Sequence, residues 1–195
     1  MSSNVFVGRT LARSQALQLL FQAESTDQTV SDVLDGAYAL SQWPLDEYGE
    51  RLALGADQHR DQIDAVISRS STNWPIDRMP SVDRNLLRLA IYEMTMEEDV
   101  AIAVSIDESV ELAKAYGTDE SSRFVNGLLG RVASDIEAGE DVLALAAEAA
   151  EAADDTVVEE EAAEPEGDEV AEVQAVESDA EDGQDDDAYD VDEEQ

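Results

Sequence analysis

The sequence predicts an all-α protein: packed helical bundles, about seven helices in all, followed by a disordered acidic C-terminal tail. Three observations predict this. Apolar residues recur at three- and four-residue spacing through most of the first 138 residues. Helix stop signals such as Pro44, Pro75 and Gly117 interrupt that pattern at short intervals, as the tight connections of packed bundles require. Charge then divides the chain. All 11 basic residues lie at or before Arg131, whereas 139–195 holds 25 acidic residues and no basic one. Such a segment repels itself and buries too little to offset the entropy of ordering.

The first helix is expected from about Thr10 to Ser25, with a core stripe of Leu11, Ala12, Ala16, Leu19, Leu20 and Ala23. A second runs from Val30 to Ser41, burying Val33, Leu34, Ala37 and Tyr38, and stops before Pro44. A long third spans Asp46 to Ser70 on Leu52, Leu54, Ile63, Val66 and Ile67. Pro75 opens a short helical turn after Trp74, and Ser81 opens a helix to about Glu97. Val100 to Val104 is β-branched but too short to build a sheet alone. Ser105 and Glu108 read as a capping box at the start of the next helix. Ile106, Ser109, Val110, Ala113 and Tyr116 share its inner face, and Gly117 reads as a left-handed C-cap. Phe124, Val125, Leu128, Leu129, Val132 and Ile136 form the last stripe, where Gly127 and Gly130 are expected to let a neighbouring helix approach. Residues 139–153 contain strong helix formers able to extend that helix; disorder is expected beyond Asp154.

The domain expectation is therefore 1–138 for the helical unit and 139–195 for the tail. The helical unit carries 11 basic against 23 acidic residues, a net −12. With no cysteine there is neither a disulfide framework nor a thiolate metal site. The N-terminus lacks an apolar run fit for a signal peptide, and no stretch approaches the ~18 apolar residues of a membrane span. A cytoplasmic protein is expected.

Groups suited to catalysis are few. His59 is the only histidine and reads as a structural residue, and phosphate-loop and zinc-protease motifs are absent. No enzyme activity, cofactor or metal is expected. Asp107 and Glu111 read as a solvated helix face. Glu93 sits within an apolar stripe and needs a partner, so a structural ion pair is the favoured reading.

The first helix carries the strongest functional signal. At 100° per residue Arg13, Leu17 and Phe21 fall opposite the core stripe, with Arg9 one turn earlier. Arginine supplies forked donors for phosphate, and an outward aromatic can stack on an unpaired base. Arg123 and Phe124 repeat the pair at the start of the last helix. Packing of Leu17 and Phe21 against helices further along the chain is the competing reading.

Three blocks carry a family resemblance. SIDESVELAKAYGTDESSRFVNGLLGRV, from Ser105 to Val132, strongly resembles the C-terminal signature of the NusB family of bacterial transcription antitermination factors. GRTLARSQALQLLFQAE, from Gly8 to Glu24, looks like that family's first helix, and NWPIDRMPSVDRNLLRLAIYEM, from Asn73 to Met94, is similar to its middle block. Together they cover roughly residues 5 to 137, in family order, and the resemblance implies two small helical-bundle subdomains, about 5–72 and 73–138.

The resemblance implies that the first helix and the start of the last meet single-stranded boxA RNA. Arg9 and Arg13 fall in the family's arginine motif, Phe21 on its aromatic, and Arg123 and Phe124 on its Lys/Arg-Phe pair. Thr10 and Leu11 stand where fuller motifs hold more arginine, which implies weak RNA affinity for the chain alone. The implied partner is NusE, a small-subunit ribosomal protein, meeting a surface from Asp77 to Glu97 that includes Asp83. The pair would join the elongating RNA polymerase with other Nus factors and support processive transcription of ribosomal RNA operons. The alternatives are a protein-interaction module with a weakened RNA face, or a homodimeric regulator. A similar domain in RNA cytosine methyltransferases precedes a catalytic domain, but this chain has no catalytic cysteine. The tail reads either as a solubilising extension or as an arm competing for the arginine face.

Overall fold

The computed structural model describes residues 5–72 and 74–149. Helix α1 spans Gly8–Thr26, α2 Val30–Asp35, α3 Glu47–Gln58, α4 Arg60–Ser70, α5 Ser81–Met96, α6 Ile102–Tyr116 and α7 Ser121–Glu137. A 3-10 turn at Ile76–Arg78 precedes α5. An eighth helical stretch, α8, covers 142–149. The all-α expectation holds, with no strand among the described residues. The tail beyond 149, including the disorder expected from Asp154, lies outside the described residues.

Two helices make the centre. In α5 every residue from Asn85 to Ile91 is buried, and α1 is buried from Ala12 to Leu17. One hydrophobic cluster runs from Ala12 in α1 through Leu86, Leu87 and Ile91 in α5 to Leu128 and Val132 in α7, so the core crosses the expected division near residue 73. Helix α3 approaches both central helices at glycine. A Cβ on Gly49 would meet the Ala12 carbonyl oxygen at 2.5 Å, and one on Gly55 would run into the Tyr92 ring.

Several boundaries differ from expectation. Helix α2 starts on a Thr29–Asp32 capping box but ends at Gly36. Ala37 is therefore exposed, and Tyr38 is only half-buried, its ring 5.2 Å from that of Trp43. The long third helix is two helices broken at His59, whose backbone leaves helical geometry (φ −103, ψ 18). Its Nδ1 lies 2.9 Å from the Gly55 carbonyl oxygen, the structural role expected of this histidine.

The Ser105–Glu108 capping box does not exist. Helix α6 begins one turn earlier, at Ile102, so Ser105 lies inside it with a buried, unpartnered hydroxyl. Gly117 is extended (φ −91, ψ −164) rather than left-handed. Glycine is required there for space, since a Cβ would meet the Ser121 side chain at 2.5 Å.

Gly127 and Gly130 do not seat another helix, because a Cβ on either would meet nothing within 4 Å. Residues after Glu137 do not extend α7. Gly139 takes φ +85 and turns the chain, and α8 packs Val142 and Ala146 into the core.

Candidate nucleic-acid interface

Arg13 does not face outward. It is 3% exposed, and its Nε donates to both Glu93 carboxylate oxygens, at 2.9 and 3.1 Å. One Nη reaches Glu108 at 3.3 Å; the other is buried with no hydrogen-bond partner. Tyr48 donates its hydroxyl to the same Glu93. Glu93 is thus the structural ion-pair residue expected. Burial, then the Glu93 carboxylate, pushes the Tyr48 phenol well above its ordinary value, so it stays protonated and donating. Leu17 is buried as well. A helical wheel gives the direction of a side chain, not the number of neighbours round the helix. Here α3, α5 and α2 all pack on α1, and Glu108 of α6 reaches Arg13.

The rest of the row stays accessible. Arg9 is exposed, its guanidinium 4.8 Å from the centre of the Tyr48 ring. Arg51 lies over the same ring at 5.0 Å. Phe21 is 42% exposed and borders an apolar groove of about 390 Å³ with Leu17, Val82 and Tyr116. Tyr116 closes the groove toward α1 by sharing a 2.6 Å hydrogen bond with Ser14. Arg9 and Phe21 are twelve residues apart on one helix, about 18 Å.

Arg123 and Phe124 occupy the first turn of α7. Arg123 is 85% exposed; its contact with Glu120, at 3.4 Å, is a surface ion pair of little strength. Phe124 is half-buried against Trp74, with ring centres 4.8 Å apart. The two aromatic positions flank the start of α5. Val82 lines the Phe21 groove, and the next residue, Asp83, lies against Ser121 at the start of α7.

The two acidic partner residues separate. Asp77 is exposed on the 3-10 turn. Asp83 is 2% exposed, with one carboxylate oxygen unpartnered, and so offers no surface to a partner protein. Burial raises its pKa, against the Ser121 hydroxyl, which lowers it. The Asp83 expectation fails because the first turn of α5 is covered by the start of α7.

Sequence reasoning missed three groups. Tyr48 gathers Arg9, Arg13 and Arg51 round one ring, and no spacing rule links residues so far apart. Gln15 is buried and pins the loop before α3 by donating to the Gln42 and Pro44 carbonyls and accepting from Asp46 N–H. Glu24 accepts from Arg84, Asn85 and Arg88, and Arg88 also reaches Asp64 at 2.7 Å through two nitrogens. A glutamate and two arginines in apolar stripes were the available signal.

Comparison with known proteins bears directly on this surface. Residues 10–134 match the model of the NusB family. The chain is 44% identical over 129 residues to the transcription antitermination protein NusB of Bacillus subtilis, covering 66% of this chain and 97% of that protein. Among solved structures it resembles T. maritima NusB, at 36% identity and TM-score 0.58, over 67% of this chain and 94% of that one. It also resembles a chain of a complex of antitermination factors NusB and NusE with double-stranded RNA. That match is 26% identical with TM-score 0.54, over 64% of this chain and 94% of that one.

Proposed function

This chain belongs to the NusB family, and we propose that it is a transcription antitermination factor. With NusE it binds boxA RNA, joins the elongating polymerase and supports processive transcription of ribosomal RNA operons. It acts in the cytoplasm, without catalysis. The observation that carries this reading is the extent of the family match. It spans 10–134, from the first turn of α1 almost to the end of α7, and so includes Phe21 and the Arg123–Phe124 pair, with Arg9 one residue before its start. The working unit is 1–138, in halves of 5–72 and 73–138, supplemented by α8.

The RNA face consists of Arg9, Phe21, Arg123 and Phe124. Arg13 supports it from beneath, through Glu93 and Tyr48, rather than touching phosphate. With Arg13 withdrawn, fewer cations are available for phosphate, and the affinity of the chain alone is weak. NusE supplies the remainder, docking on the surface around Asp77, where acidic charge suits a basic ribosomal protein.

The test is binding of boxA RNA by the purified chain, with and without NusE, on single-stranded and duplex forms. Tight binding of the single strand only with NusE, weakened by Arg123→Ala, is expected. Equal affinity for an unrelated RNA, or none with NusE present, would leave a protein-interaction module. No helix among the described residues is long and apolar enough to cross a membrane.

A further inference from the structure

We infer that Trp74 and Phe124 form a cleft that accepts one unpaired base, and that the RNA strand continues from it along the outer face of α7 to Arg131. This deepens the RNA-binding reading above and rests on it.

The two rings are 4.8 Å apart at their centres but tilted by 56°, so neither covers the face of the other. Trp74 is among the exposed large apolar residues, and it lies just before the 3-10 turn that leads into α5. Beside the rings is a cavity of about 340 Å³, lined also by Glu120, Arg123, Gly127 and Arg131. Gly127 and Arg131 line a second cavity as well, of about 580 Å³, which reaches Arg69 on α4. The two cavities therefore form one track down α7, with aromatic rings at its head and arginine at its head, middle and far side.

Both kinds of group suit one ligand chemistry. Arg69 is held by Asp135 at 3.0 Å and Glu140 at 3.4 Å, so the anionic occupant is favoured by Arg131 and by Arg123, whose ion pair with Glu120 is an exposed surface contact. The tilted Trp74 and Phe124 rings beside that cavity add a π face, on which a nucleobase stacks and an acidic peptide does not. The floor of the track is bare backbone. Gly127 and Gly130 sit in mid-helix with open space where a side chain would stand, so packing does not account for them. They let a sugar-phosphate strand lie close to the helix.

Fluorescence gives a direct test, because the chain has two tryptophans and Trp43 lies elsewhere, against Tyr38. The full chain with NusE is titrated with single-stranded boxA RNA, using Trp43→Phe to report Trp74 and Trp74→Phe to report Trp43. The Trp43→Phe signal is expected to quench with the midpoint seen by labelled-RNA anisotropy, while the Trp74→Phe signal stays flat. Trp74→Ala should weaken RNA binding by about tenfold, the order of one base stack, with Trp74→Phe keeping most of it. Arg131→Gln should reduce the salt slope by about 0.7. Tight RNA binding with no change at Trp74 overturns the cleft and leaves the RNA-binding reading standing. Quenching of Trp74 by NusE before RNA is added assigns the cleft to protein and overturns the proposal. Absence of RNA binding by the unaltered complex overturns both.

Discussion

The Arg13 Nε lies 2.9 Å from the Glu93 carboxylate, joining the first and fifth helices across 80 residues of sequence. Removing one partner leaves a buried charge uncompensated, which costs roughly 3–5 kcal/mol. Arg13→Ala should lose about that much stability in urea unfolding. Replacing both partners, Arg13→Met with Glu93→Leu, should lose far less. RNA affinity of the surviving folded protein should stay within about twofold of the original. A variant with unchanged stability and weakened RNA binding would move Arg13 back to the surface contact set.

Arg9 and Arg123 are accessible cations at opposite ends of the proposed RNA face. Alanine at either should lower the slope of log affinity against log salt by about 0.7. Alanine at both should lower it by about twice as much. Unchanged slopes, measured with NusE present, would remove these residues from the phosphate contacts.

Acid sensitivity should come from Glu24. Burial pushes its carboxyl up, but hydrogen bonds from Arg84 and Asn85 and the charges of Arg84 and Arg88 outweigh it and hold the pKa below 4.5. A lowered folded pKa contributes stability above the unfolded value and loses it as pH falls through the folded one. Melting temperature should therefore drop below about pH 4.5, and drop less in Glu24→Gln. Asp83 has the opposite sign. Its raised pKa means that ionisation at neutral pH opposes folding, so Asp83→Asn should be neutral or stabilising at pH 7 and lose that advantage in acid. Asp83→Asn should also leave NusE affinity intact, whereas Asp77→Lys should reduce it.

Glycine substitutions should divide by location. Gly127→Ala and Gly130→Ala meet open space in a helix, so each should stabilise the free protein by roughly 1 kcal/mol. Gly49→Ala would drive a Cβ against the Ala12 backbone at 2.5 Å and should be strongly destabilising. Thermal unfolding of the four single variants, Gly55→Ala included, reads this directly.

The position of a C-terminal cut should matter. A chain ending at Ala138 loses Val142 and Ala146 from the core, and one ending at Ala149 keeps both. The shorter form should be less stable by about 2 kcal/mol, the order of burying a valine side chain. Equal denaturation midpoints would show that α8 adds nothing to the core.

Much of this architecture was legible, for identifiable reasons. Helices α5 and α7 have long apolar stripes and clear ends, and Glu93 announced a buried partner by standing in such a stripe. What failed depended on neighbours. Arg13 and Leu17 lie opposite the core stripe on a wheel, yet other helices cover that side too. Asp83 was placed on the partner surface by the family resemblance alone, and only the start of α7 hides it. The break at His59 carries neither proline nor glycine. Ser105 and Glu108 have capping-box spacing, but an earlier start at Ile102 took Glu108 for Arg13. Trp74 was visible as a residue and silent about its role until Phe124 was placed beside it.

Helix α1 holds its polar groups to later parts of the chain: Gln15 to the loop at 42–46, Glu24 to Arg84 and Arg88, Arg13 to Glu93, Ser14 to Tyr116. Helix α1 is therefore made well before most of these partners. At roughly 5–20 residues per second, the ~70 residues between the end of α1 and the end of α5 take about 4 to 14 seconds to synthesise. Throughout that interval Arg13 and Glu24 lack the α5 side chains that neutralise them, and Leu19 and Leu20 can pack only on the earlier helices, α2 and α3 among them. A nascent chain stalled before Met96 is thus a natural client for chaperones or proteases, because α1 lacks its ion-pair partners until α5 is complete.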